Sequence, residues 1–215
     1  MIRVLLADDH AAIRAGLKMV LDAAPDIEVV GEAADGAVAV RQAAALRPDV
    51  VLMDIRMPGT DGIEATRAIT SAGLSDVLVL TTFDIDEYIF GALRAGAAGF
   101  LLKTVEPATL ADAVRSVATG DGVIAPEVTR RLLAALVAST PSVGTPSGRP
   151  ELEGLTARER QVLAALGRGL SNADLAAHFM ISEATAKTHV SRVLAKLGYT
   201  SRVQAAILAK ELGLV

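Results

Sequence analysis

Asp8 and Asp9 stand side by side where the apolar run "LLADDH" turns polar. A third carboxylate, Asp54, closes the run "VVLMD"; Thr81 ends "VLVLT", and Lys103 follows "GFLL". Singly these residues are bland: a lone Asp at a strand end commonly caps the next helix, and a lone Lys is commonly a solvated charge. Together they describe phosphoryl transfer. Three carboxylates in one crevice repel, each raising the others' pKa unless a cation joins them. Magnesium suits the cluster, because it takes a hard octahedral oxygen shell from one or two carboxylates, waters and a substrate phosphate. With the charge neutralised, one carboxylate can attack phosphorus and form an aspartyl phosphate. Asp54 is the candidate nucleophile, since it ends the most apolar run and "RMPG" then turns the chain away. Lys103 would pair with the incoming phosphoryl oxygens, and Thr81 would donate a hydrogen bond to one of them.

These residues meet only if the runs they end lie side by side. "IRVLLAD", "IEVVGE", "DVVLMDI", "DVLVLTT" and "GFLLK" are of strand length, rich in Val, Ile and Leu, and several are apolar on both faces. That is the pattern of parallel strands covered by helices on each side. Helical periodicity fills the intervals at 11–23, 36–46, 62–71, 85–95 and 107–119. Five strands alternating with five helices predict a doubly wound α/β parallel sheet, whose ligand site lies beyond the carboxyl ends of the strands. Gly96 and Gly99 read as a helix stop and a tight approach, and His10 as a local polar contact. A further helical run covers 126–138, and "STPSVGTPSGRP", 139–150, is too poor in apolar residues to order itself and reads as an interdomain linker.

The composition fits one large domain or two small ones. The chain has 215 residues, 52% of them hydrophobic, enough for two cores. It has no cysteine, which excludes disulfides, thiolate metal sites and cysteine nucleophiles. Arg3, Asp8 and Asp9 break any signal-peptide core, and no stretch approaches eighteen apolar residues, so the expectation is a cytoplasmic protein with no membrane association. The net charge of −4 hides a split: residues 1–150 hold 13 Lys and Arg against 19 Asp and Glu, or −6, whereas 151–215 hold 8 against 6, or +2.

After residue 150 the strand pattern disappears. Four helices are expected, at 157–166, 172–179, 183–197 and 202–212, started by Thr156, Ser171, Ser182 and Ser201. Thr156 with Glu159, and Thr200 or Ser201 with Gln204, have capping-box spacing. The short turn "FMIS" gives the second and third helices helix-turn-helix spacing, in which the later helix enters the major groove. From Ser182 to Arg202 the stretch carries Lys187, Arg192, Lys196 and Arg202 against Glu183 alone, with hydroxyls at Thr185, Thr188 and Ser191. Val190, Val193, Leu194 and Leu197 make the opposite, core-facing stripe. A solvated basic face on a plain helical bundle would look similar, but the turn spacing and the charge split favour DNA.

Two resemblances sharpen these expectations. "ADDH", "LMDIRMPGTDG", "VLTTFD" and "GFLLK", in that order over residues 1 to about 120, resemble the response-regulator receiver domain, a flavodoxin-like fold. The resemblance implies that Asp54 accepts phosphate from a sensor histidine kinase, and that Asp9, Asp54 and the Arg56 backbone carbonyl bind magnesium directly, with Asp8 acting through a water. It further implies that Thr81 senses the phosphoryl group, that Phe100 is an aromatic switch, that Thr82 modulates access and that the Arg56 side chain influences the lifetime of the phosphorylated state. "LTARERQVL", "GLSNADLA" and "ISEATAKTHVSRVLAKLG" resemble the LuxR-type DNA-binding domain, which implies that Lys187, Thr188 and Ser191 face bases while Thr185, His189 and Arg192 contact phosphates. Ala186 departs from that pattern, which usually has a branched apolar residue there. The pair is the layout of the NarL/FixJ class, here with a receiver at 1–121, a helix and flexible linker at 122–150 and a DNA-binding domain at 151–215.

The expected function is a transcription regulator in which phosphorylation of Asp54 repacks the face near Phe100 and Tyr88 and favours a homodimer on promoter DNA, reading two half-sites about one helical turn apart. The last helix often supplies the dimer contact in this class. It would not be an enzyme beyond its own phosphoryl transfer: a phosphatase of this chemistry needs a second Asp two residues past the nucleophile, where Arg56 stands. The alternative is a constitutive, phosphorylation-independent DNA-binding regulator whose receiver serves as a dimerisation module.

Overall fold

A computed structural model describes residues 1–81, 86–124, 152 and 154–215 of the chain. Thr82, the start of the fourth predicted helix, the helical run at 126–138 and the linker at 139–150 lie outside the described residues. The chain divides into two compact units, Met1–Val128 and Thr129–Val215.

In the first unit, strands β1 (Ile2–Ala7), β2 (Ile27–Ala33), β3 (Val50–Asp54), β4 (Asp76–Thr81) and β5 (Gly99–Leu102) form a parallel sheet in the order β2-β1-β3-β4-β5. Every residue of β3 is buried, as a central strand covered on both faces must be. Helices α1 (Ala11–Asp22), α2 (Gly36–Leu46), α3 (Gly62–Ser71), α4 (Asp86–Arg94) and α5 (Pro107–Ala118) make the crossovers. The side chains of Asp35 and Asp61 start α2 and α3 by accepting from the backbone N–H of Val38 and Glu64, each at 2.8 Å. A two-residue strand, β6 (Val123–Ile124), extends the sheet beyond β5. It is too short to show a period of two, so the sequence pattern does not mark it.

The strand order reverses between β1 and β3. β2 lies on one side of β1, and every later strand lies on the other, so the crevice that parallel sheets offer to ligands opens at the carboxyl ends of β1 and β3.

The second unit is built of α6 (Ala157–Gly167), α7 (Asn172–Phe179), α8 (Glu183–Leu197) and α9 (Arg202–Glu211). The hydroxyls of Thr156, Ser171, Ser182 and Ser201 cap them, and capping boxes close at Thr156/Glu159, Ser171/Asp174 and Ser201/Gln204. Leu155, Val162, Leu163, Leu166, Leu175 and Val193 are among the residues of one small core, against which Leu194 and Leu197 are partly buried. Ala186 is 1% exposed and belongs to that core, so the small side chain leaves no exposed gap in the buried face of α8.

Candidate functional site

Asp8 and Asp54 are 1% and 7% exposed at the ends of neighbouring strands, and Lys103 reaches both of them. Its Nζ lies 2.5 Å from Asp8 Oδ2 and 2.8 Å from Asp54 Oδ2. The lysine can do this because its backbone N–H, just past β5, donates to the Thr81 carbonyl at 2.8 Å, holding the chain against the end of β4. Burial pushes the Asp54 carboxyl above the ordinary aspartate value, opposed by the hydrogen bond and charge of Lys103, while the nearby charge of Asp8 adds to the rise. Asp54 Oδ1 accepts from the backbone N–H of Ile55 at 2.8 Å, which leaves the carboxylate with one oxygen pinned and the other on the lysine.

The acid loop is tied just as closely. Asp8 Oδ1 accepts from the His10 backbone N–H at 2.9 Å, and His10 Nδ1 lies 2.6 Å from Asp9 Oδ1, so His10 makes the local polar contact expected of it. Among the described residues, Asp8, Asp9 and His10 bring one donor atom each within 4.8 Å of one another. Asp8 Oδ2 and Asp9 Oδ1 are buried and accept no hydrogen bond there; the Lys103 ammonium lies 2.5 Å from the first and the His10 imidazole 2.6 Å from the second. Buried carboxylate oxygens without hydrogen bonds are a hard, anionic donor set, which fits a small divalent cation. Asp9 and Arg56 line one open cleft of about 420 Å³, together with Pro58, Asp61 and Tyr88.

Thr81 is 3% exposed at the end of β4, one strand from Asp54. Phe100 is fully buried in β5, opposite Val79 on one side and Ile124 on the other. The bend after Asp54 is closed by the Gly62 backbone N–H, which donates to the Ile55 carbonyl at 2.8 Å. A Cβ on Gly62 would sit 1.9 Å from the Asp54 carbonyl oxygen, so only glycine fits beneath Asp54.

In the second unit, Thr185, Lys187, Thr188, Ser191 and Arg192 are exposed on α8, His189 is half-buried, and Ala186, Val190 and Val193 are buried behind them. Thr188 Oγ1 donates to the Ala184 carbonyl at 2.9 Å. Two cations counted with this stretch in the sequence are held by groups of their own unit instead. Lys196 Nζ lies 2.7 Å from Glu159 Oε2 and donates to the Gly154 carbonyl, while Arg202 donates to the Leu170 carbonyl. Lys187, Arg192 and Lys196 are all exposed on α8, but Lys196 is already paired with Glu159. Sequence reasoning also passed over Arg14, whose Nη1 donates to the Asp8 carbonyl at 2.6 Å; an arginine on an amphipathic helix gives no signal of such a contact.

Known proteins agree with both halves. Residues 4–115 match the family model of the response regulator receiver domain, and residues 153–209 match that of the bacterial regulatory proteins, luxR family. The chain is 43% identical over 213 residues to the transcriptional regulatory protein LiaR of Bacillus subtilis, covering 97% of each chain. It is 40% identical over 214 residues to the DNA-binding transcriptional activator DevR/DosR of Mycobacterium tuberculosis, covering 99% of this chain and 95% of the relative. Among solved structures, the response regulator ChrA of a heme-sensing two-component system is 43% identical, with 100% of this chain and 98% of that one covered and a TM-score of 0.55. No helix among the described residues is long and apolar enough to cross a membrane.

Proposed function

The chain belongs to the two-component response regulators that join a receiver domain to a LuxR-type DNA-binding domain, and from this we propose that phosphorylation of Asp54 by a sensor histidine kinase switches its binding to promoter DNA. The observation that carries the reading is the Lys103 ammonium held between Asp8 and Asp54 where the strand order reverses. Residues 1–121 are the phosphoacceptor domain, 122–150 the connection and 151–215 the DNA-binding domain.

An Asp54 oxygen attacks the phosphorus of a phosphohistidine, the new P–O bond forms as the P–N bond breaks, and the imidazole leaves with the electron pair. Lys103 transfers its charge from the carboxylates to the phosphoryl oxygens, and Thr81 donates a hydrogen bond to one of them. Asp9, Asp54 and the Arg56 carbonyl would hold magnesium directly and Asp8 through a water. When bound, the ion supplies positive charge that offsets the clustered carboxylates and the incoming phosphate. The shift of Thr81 and Lys103 toward the phosphoryl group repacks the face near Phe100 and Tyr88. That is a population shift, driven only by the contacts phosphate makes better in one state than in the other. The shifted state is a homodimer on DNA, with Lys187, Thr188 and Ser191 toward the bases and Thr185, His189 and Arg192 toward the phosphates. The protein acts inside the cytoplasm and catalyses no reaction beyond its own phosphoryl transfer.

The test is the intact mass of the full chain after incubation with acetyl phosphate and magnesium, beside Asp54→Ala, followed by DNA affinity in both states. One added phosphoryl group in the parent alone, with tighter DNA binding, is the expected result. Equal DNA affinity for parent and Asp54→Ala under phosphorylating conditions would establish constitutive binding in its place.

A further inference from the structure

We infer that Arg14 is a positioning residue for the metal site, setting divalent-cation affinity by fixing the peptide between Asp8 and Asp9. The inference rests on the reading of these two aspartates as magnesium ligands. Arg14 projects from the first turns of α1 with its side chain only 15% exposed. Nη1 donates to the Asp8 carbonyl at 2.6 Å, and Nε donates to Glu32 Oε2 at 3.2 Å. Glu32 is itself anchored, since its carbonyl accepts from Gln42 Nε2 on α2 at 2.8 Å. The guanidinium therefore ties the peptide that carries both carboxylates to the end of β2.

The peptide plane decides the outcome. Asp8 is tied through its N–H to the Ala33 carbonyl at 3.1 Å and through Oδ1 to the His10 N–H. Neither bond fixes the carbonyl of Asp8, which sets the direction in which the chain enters Asp9. Arg14 fixes it, and a planar fork with one N–H on a carbonyl and another on a carboxylate is rigid in a way an ammonium is not. Groups that orient metal-binding carboxylates commonly change affinity by ten- to a hundredfold when removed.

Charge and geometry pull in opposite directions, which makes the inference decidable. A cation beside an acidic cluster repels a divalent ion, so an Arg14 that acted only through its charge would weaken magnesium binding, and its removal would tighten it. A positioning Arg14 does the reverse. Calorimetric titration of magnesium into the full-length parent, Arg14→Met, Arg14→Lys and Glu32→Gln reads the sign. Affinity about tenfold weaker in Arg14→Met, and also weakened in Arg14→Lys, which keeps the charge and loses the fork, is the expected result. Glu32→Gln should weaken it by less. Unchanged or tighter binding by Arg14→Met overturns the inference; should that variant not fold, unchanged binding by Arg14→Lys overturns it equally. A parent chain that binds no magnesium overturns the underlying reading, and the inference falls with it.

Discussion

The ammonium of Lys103 lies 2.8 Å from Asp54 Oδ2, yet the carboxyl titrates above the ordinary aspartate range because burial outweighs the lysine. A pKa raised by folding means that the folded state binds more protons than the unfolded one across that range. Asp54 therefore opposes folding increasingly as pH rises through its own pKa. In chelator, Asp54→Asn should be more stable than the parent at neutral pH, and the gain should fade once the pH falls below the ordinary aspartate value. Thermal unfolding from neutral pH to about pH 3 checks this; a less stable Asn variant at neutral pH would mean the lysine wins.

Gly62 and Gly16 should respond oppositely to alanine. At Gly62 the added methyl meets the Asp54 carbonyl oxygen, whereas at Gly16, on the exposed side of α1, it meets nothing within 4 Å. Gly62→Ala should lose about 1–3 kcal/mol or more through overpacking. Gly16→Ala should gain about 0.5–1 kcal/mol from helix propensity. Urea unfolding of the two variants separates them.

The Lys196 hydrogen bond, with help from Thr156, holds the Glu159 carboxyl down to about 2. A pKa depressed by folding contributes stability at pH above the ordinary glutamate value, and that contribution is lost as pH falls toward the folded value. Hydrogen exchange at α6 and α8 amides should show the parent losing protection between about pH 4.5 and 2. Lys196→Met should be less protected at neutral pH and show a smaller further loss on acidification.

The same pairing bears on DNA. Arg192→Ala should weaken binding to all sequences alike and reduce the slope of log affinity against log salt by about 1. Lys187→Ala should relax sequence preference. Lys196→Met should leave the salt slope unchanged, because its charge is already spent on Glu159; a slope reduced as in Arg192→Ala would place Lys196 on the backbone.

Met180 ends α7 in the left-handed region, φ 54°, with 92% of its surface exposed. A side chain there costs about 1–2 kcal/mol relative to a residue without a Cβ and buries nothing in return. Met180→Gly should raise the unfolding midpoint by a few degrees, corresponding to about 1 kcal/mol, with helix content by circular dichroism unchanged.

The sheet was legible because parallel strands put their carboxyl ends on one edge: runs ending in Asp8, Asp54, Thr81 and Lys103 had to converge there if they were strands of one sheet. The helix starts of the second unit were equally plain, since each cap is a hydroxyl residue just before an amphipathic run. What pattern reading could not supply was the partner of each long cation. Lys103 faces two carboxylates, Lys196 turns to a glutamate 37 residues away, and Arg14 turns to a backbone carbonyl. Such choices depend on three-dimensional neighbours, and a flexible charged side chain at a helix surface looks the same in sequence whether it is solvated or bound.

Lys103 also stands far along the chain from the carboxylates it joins. As a ribosome makes this protein from its N-terminus, Asp8 and Asp54 emerge and can be brought together by the pairing of β1 and β3 well before the lysine is synthesised. Without β5 beside β4, the sheet would lack the ammonium that lies 2.5 Å from Asp8 and 2.8 Å from Asp54. The last of the five long strands thus brings the counter-charge for the carboxylates at the ends of the first and third.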